Sequence, residues 1–196
     1  MKKIAFVLSA LFILSAFTFT HIDSYTANSK ISKMVWYGDK LNTTHFGNIM
    51  LKSGTLKINH GKLVGGVFVI DMKSITNQDI ESKNYKAMLV DDLKSDRFFD
   101  VGNFPEATFK LIRATPTTEN NFEILGELNL KGKIGPVSFP LELKYENDGK
   151  VIAIGECSFN RTKFGLTYGS DSFFDNLGEK AISDIIRLEF AIVFEK

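Results

Sequence analysis

A chain of 196 residues is the length of one domain, and a formal net charge of +1 gives no electrostatic footprint for nucleic acid. At 44% hydrophobic and 24% charged the composition is globular, while one cysteine and three histidines exclude an internal disulfide, a multi-cysteine zinc site and a histidine-rich metal centre. The distinguishing count is 18 phenylalanines against one tryptophan and five tyrosines, which demands a heavy aromatic core or an apolar cavity.

Met1-Lys2-Lys3 followed by the apolar run Ile4 to Phe19 has the layout of a cleaved signal peptide over residues 1–20. The run is shorter than the roughly 20 residues that a bilayer span needs, so no stable transmembrane span is expected after processing. No cysteine follows it, which excludes a lipidated N-terminus. Losing Lys2 and Lys3 leaves a near-neutral domain over 24–196, expected in the periplasm or secreted.

From there the period is two. Residues 24–40 place Met34, Trp36 and Gly38 on an uncharged face. Lys52-Ser53-Gly54 and Asn59-His60-Gly61-Lys62 read as turns. Residues 62–72 align Val64, Gly66, Phe68, Ile70 and Met72 against Asp71. Residues 77–97 switch to helical spacing through Tyr85, Met88, Leu89 and Leu93, with Ser74 or Asn77 as starts. Alternation then resumes with Ala107, Phe109 and Leu111, with Phe122 to Leu130 (Ile124, Gly126 and Leu128 between), and with Val137, Phe139, Leu141, Leu143 and Tyr145. After the Asn147-Asp148-Gly149 turn come Val151 to Phe159, and the last strand aligns Ile186, Leu188, Phe190, Ile192 and Phe194. About eight strands with one wet face close into a barrel or fold into a sandwich.

Catalytic signals are thin. Asp91 and Asp92 are neighbours on a helix and do not face each other, so they read as a solvated charged face. No G-x-S-x-G, P-loop or H-E-x-x-H motif occurs. Cys157 falls on an inward face and reads as an inert buried thiol. His45, beside Phe46-Gly47, reads as a structural group or as one that meets a ligand or acts as a base. Arg161 continues the inward face of Val151 to Phe159, and a guanidinium there needs a partner. Two readings stay open: an internal ion pair, or an anchor for an anionic or strongly polar head group.

The chain resembles the YceI-like family of lipid-binding proteins from Tyr25 to its end. The resemblance rests on Val35-Trp36, His45-Phe46-Gly47, Leu63 to Phe68 and Asp71 to Ile75. Its most specific stretch is Leu93 to Val101, continuing through Phe104 to Phe109, with Gly126 to Gly132, Pro136 to Phe139, Asn160 to Gly165 and Tyr168-Gly169 behind it. It implies an all-β fold, an extended eight-stranded antiparallel lipocalin-like barrel with the one helical excursion at about 77–97. It implies a long apolar pocket for an amphiphile, a polyisoprenoid or a fatty acid or its amide, and an exported protein; some members are dimers, so a homodimer is an expectation. One departure stands out: where the family often has an Arg and a His before the Leu-Lys-Ser segment, this chain has Leu89 and Asp92.

Together the inward faces nominate Trp36, His45, Phe68, Ile70, Phe109, Leu111, Leu128, Leu130, Phe139, Leu141, Phe159, Arg161 and Phe190 as ligand-binding residues. No cofactor, metal or nucleic-acid partner is expected, only a bound long-chain lipid held for transport, storage or sequestration. The alternatives are a lipid-modifying enzyme using His45 in the same cavity and an exported barrel packed solid. Intact-mass analysis of the exported protein should show a start between about residues 17 and 25; full-length chain in the membrane fraction overturns the signal-peptide reading.

Overall fold

The computed structural model describes residues 22–196, so the expected signal segment lies outside the described residues. In chain order the strands are β1 (Ile22–Ala27), β2 (Lys33–Lys40), β3 (Thr43–Asn48), β4 (Met50–Asn59) and β5 (Lys62–Asp71). A 3-10 turn (Met72–Ser74) and helix α1 (Lys83–Lys94) interrupt them before β6 (Glu106–Pro116), β7 (Asn121–Leu130), β8 (Lys133–Tyr145), β9 (Val151–Asn160) and β10 (Ile182–Glu195). Eight strands close an antiparallel barrel in the order β1-β4-β5-β6-β7-β8-β9-β10, with β1 pairing back onto β10. The expected eight-stranded barrel is present, and the β2–β3 hairpin adds two further strands alongside β10.

The long β10 serves two partners: Phe194 and Glu195 face β1, while Ile182 to Ala191 face β2. The expected single strand over 24–40 is therefore two. Asn28 makes the break, its carbonyl accepting from the Ile31 and Ser32 amides and from Ser32 Oγ.

Bulges correct two further readings. Lys57 pairs with Gly65 but Ile58 with Leu63, so Val64 is the extra residue. The slip turns Val64 outward, half exposed, and puts Leu63 in the core, because one inserted residue exchanges the two faces. Lys52-Ser53-Gly54 is no turn: it lies inside β4, where the register shifts between Leu51 and Ser53. The Asn59–Lys62 turn does form, with His60 and Gly61 both at positive φ as a tight hairpin requires.

The helix is shorter than expected, 83–94 rather than about 77–97, and starts after Ser82 instead of Ser74 or Asn77. Tyr85 and Met88 point to solvent, and only Leu89 and Leu93 pack inward. Residues 75–78 stay out of the helix because they line the open edge of β3, and the chain then bends at Asp79, where the Ile80 amide donates to Asn77 Oδ1. The Thr76 amide donates to the Asn48 carbonyl and the Gln78 amide to that of Phe46, while Trp36 Nε1 donates to the Thr76 carbonyl at 2.9 Å. Such an approach requires Gly47: a Cβ there would lie 1.9 Å from the Thr76 oxygen. Gly47→Ala should therefore cost about 1–3 kcal/mol in urea denaturation. Gly102→Ala, where a Cβ meets open space, should stay within about 0.5 kcal/mol of the parent.

Candidate functional site

The barrel interior is organised by phenylalanines on some strands facing glycines on others. Phe68 on β5, Phe109 on β6, Phe139 on β8 and Phe190 on β10 form a chain of ring contacts with centroids 5.5–6.0 Å apart. The strands between carry glycine where the rings cross. A Cβ on Gly126 of β7 would lie 2.2 Å from the Phe109 ring, and one on Gly155 of β9 would lie 2.7 Å from that of Phe190. Gly54 on β4, directly opposite Phe68, makes the same allowance.

Along this belt runs a cavity of about 450 Å³. On β10 it extends from Ile182 to Ile192, roughly 30 Å at the usual strand rise, so it is long and narrow. Phe122, Leu143, Val151 and Phe194, all buried, lie beyond its lining and seal one end. The other end opens among the β2–β3 hairpin, α1 and the segment 168–183, where Asp39, Lys40, Asp92 and Lys180 join the lining.

All thirteen residues nominated from the sequence line this one cavity: Trp36, His45, Phe68, Ile70, Phe109, Leu111, Leu128, Leu130, Phe139, Leu141, Phe159, Arg161 and Phe190. Leu89 and Asp92, the two departures from the family pattern, line it as well. Alternation missed the contributions of Phe98, Phe99 and Tyr168, which come from irregular segments without a period. Tyr168 packs edge-on against Phe98 at 5.5 Å, joining the two loops at the mouth.

Arg161 is 1% exposed and its guanidinium is already occupied. Nε donates to the Ser183 carbonyl at 2.8 Å, Nη2 to that of Ile182 at 2.9 Å, and Nη1 to those of Tyr168, at 3.0 Å, and Leu166. Asp184 Oδ1 lies 3.6 Å from Nη2. Burial lowers the pKa of Arg161 from the ordinary arginine value, with Asp184 and Asp171 opposing that shift. The side chain thus ties segment 165–184 to the end of β9 through four carbonyls, with Asp184 beside it as the internal ion pair that was one of the two open readings.

His45 is held likewise. Its Nδ1 lies 2.7 Å from Asp79 Oδ2, while Asp79 Oδ1 accepts from the Phe46 amide at 2.9 Å and from Asn77 Nδ2. Burial alone would raise the Asp79 pKa, but hydrogen bonds from His45, Phe46 and Asn77 outweigh it and hold the carboxyl below its usual range. Among the described residues no hydroxyl or thiol hydrogen-bonds the imidazole, and no cluster of three metal-ligating side chains occurs. Cys157 faces the cavity with its thiol pushed up to about 12 by burial, so it is protonated and inert at neutral pH.

The YceI-like domain family matches residues 22–194. This chain belongs to that family. Among solved structures it is similar to Burkholderia cenocepacia BcnA, with 22% identity over 85% of this chain and 98% of that one and a TM-score of 0.68. A polyisoprenoid binding domain from Saccharophagus degradans, implicated in plant cell wall breakdown, gives 14% identity, 87% and 97% coverage and a TM-score of 0.62. The Campylobacter jejuni YceI protein gives 16%, 100% and 94%, and 0.54. A comparison with curated proteins finds no match.

Because the Asp79 pKa is depressed on folding, its stabilising contribution is present above the unfolded carboxyl value, about 3.9, and is lost as pH falls through the lower folded value. Asp79→Asn should therefore be less stable than the parent at pH 7, and the gap should narrow as pH falls below about 4 in chemical denaturation. A gap independent of pH contradicts the charged latch.

Proposed function

We propose that the protein is an exported, non-enzymatic carrier that holds the tail of a long-chain amphiphile, a polyisoprenoid or fatty-acid type, inside the barrel. The observation that carries this reading is the cavity, about 450 Å³, apolar along its length, sealed at one end and polar only at the other. A closed eight-stranded barrel has room for its own side chains or for one slender ligand, and here the glycines opposite the rings leave the second option open. Each methylene entering such a site gains roughly 0.8 kcal/mol, so a long tail is held without strong polar contacts.

The family membership supports this reading, as does the resemblance in fold to a domain described as polyisoprenoid-binding. Export is supported by the basic start and short apolar run of residues 1–20. A barrel packed solid has no such void. An enzyme in the same cavity needs a nucleophile in reach of its base, and His45 is bonded to Asp79 instead.

The test uses Trp36, the only tryptophan, which lines the cavity. Delipidated protein should show a saturable blue shift on addition of prenyl or acyl amphiphiles, with affinity rising with tail length until the chain outgrows the cavity. Calorimetry run in parallel decides the main point: no binding of any long-chain amphiphile by folded protein overturns the carrier reading.

A further inference from the structure

We propose that Lys40 and Lys180 form a cationic clamp at the cavity mouth that selects amphiphiles with an anionic head group, a carboxylate or a phosphate ester. The inference rests on the carrier reading of the same cavity and names the class of ligand that it takes.

Lys40 is the last residue of β2 and stands opposite Ile182 on β10. Lys180 ends the 3-10 turn Gly178–Lys180, two residues before Ile182, so the fold brings both to the same rim. Both line the opening and both are exposed, with flexible stems that reach over it. Neither makes an ion pair or side-chain hydrogen bond within the described residues.

Most other charged groups of the lining are engaged. Asp92 pairs with Arg97 Nη2 at 3.5 Å, His45 is held by Asp79, and Arg161 is spent on carbonyls. Asp39 is the one carboxylate of the lining without a cationic partner, and it accepts from Thr44 Oγ1 at 2.7 Å. Within the lining itself two free ammonium groups stand against this single carboxylate, while Asp171, Asp175 and Glu179 of the neighbouring segment lie outside it.

An amphiphile entering tail first comes to rest with its head between these two lysines. There an anion gains Coulomb attraction, a neutral head gains none, and a cation is repelled. Arg161, the cationic candidate that alternation singled out, lies deeper and serves the fold, so recognition of the head falls to side chains on a hairpin end and a loop.

Calorimetric titration of delipidated protein with hexadecanoate, hexadecanol and hexadecyltrimethylammonium, identical in tail length, isolates the head group. We expect hexadecanoate to bind about three- to tenfold more tightly than hexadecanol at low salt. The advantage should shrink as salt rises, since exposed charges are screened. The double variant Lys40→Gln/Lys180→Gln should lose the preference and keep its affinity for hexadecanol. Equal affinity of the parent protein for all three heads, or a preference unchanged in the double variant, overturns the clamp and leaves the carrier intact. If none of the three binds, the carrier reading itself fails. Both lysines are exposed, so the variants should fold as the parent does, and the head-group and salt series on the parent stand without them.

Discussion

The contact between phenylalanine rings and strand glycines is the constraint on which the interior depends. A barrel of eight strands is narrow, and a full set of large inward side chains at one level would overfill it. Here the rings of Phe68, Phe109, Phe139 and Phe190 share a level only because Gly54, Gly126 and Gly155 give up their side chains beneath them. Edge-to-face and tilted contacts then run round the wall, which keeps the rings against the strands instead of across the lumen. The high phenylalanine content and the narrow open channel are two sides of one packing solution.

The same economy governs the mouth. Segment 75–80 closes the free edge of β3, which would otherwise offer unpaired backbone groups to any passing strand. His45, Gly47 and Trp36 all serve that closure: the histidine through Asp79, the glycine by absence of bulk, the indole through the Thr76 carbonyl. At the far side of the opening Arg161 performs a comparable task for segment 165–184. Residues that read as chemistry in the sequence are therefore mostly fastenings for irregular segments, whose backbone carbonyls and amides need partners once buried.

Alternation made the regular part of the barrel legible. In β7, β8, β9 and the part of β10 beyond its irregularity at Ile182–Ile186, every inward residue expected from the period of two faces inward, except Tyr145 at an exposed strand end. What failed to show was where the period slips. A bulge is a one-residue event set by pairing with a neighbouring strand, so Val64 and Leu63 exchange faces with no local signal. The helix was visible as a change of period, but its start was displaced because the Thr76 and Gln78 amides are taken by carbonyls of β3, a partner about thirty residues away. Arg161 was found for the right reason, its inward position, although its partners are carbonyls of the 166–168 loop and of the first two residues of β10, which no pattern encodes. Lys40 and Lys180 carried no pattern at all, since each lies where a regular element ends.

The sealed end of the barrel has a consequence for exchange. With Phe122, Leu143, Val151 and Phe194 filling that end, a tail inside the lumen leaves only by the way it came. Cargo in a one-ended tube always shows its head to the outside, so an acceptor meets the same group whatever the tail. Withdrawal must re-expose the tail to water one methylene at a time, and roughly 0.8 kcal/mol for each multiplies the dwell time about fourfold. Over a handful of carbons that factor separates fleeting occupancy from near-permanent storage. For the proposed carrier, tail length alone therefore sets how long a cargo stays.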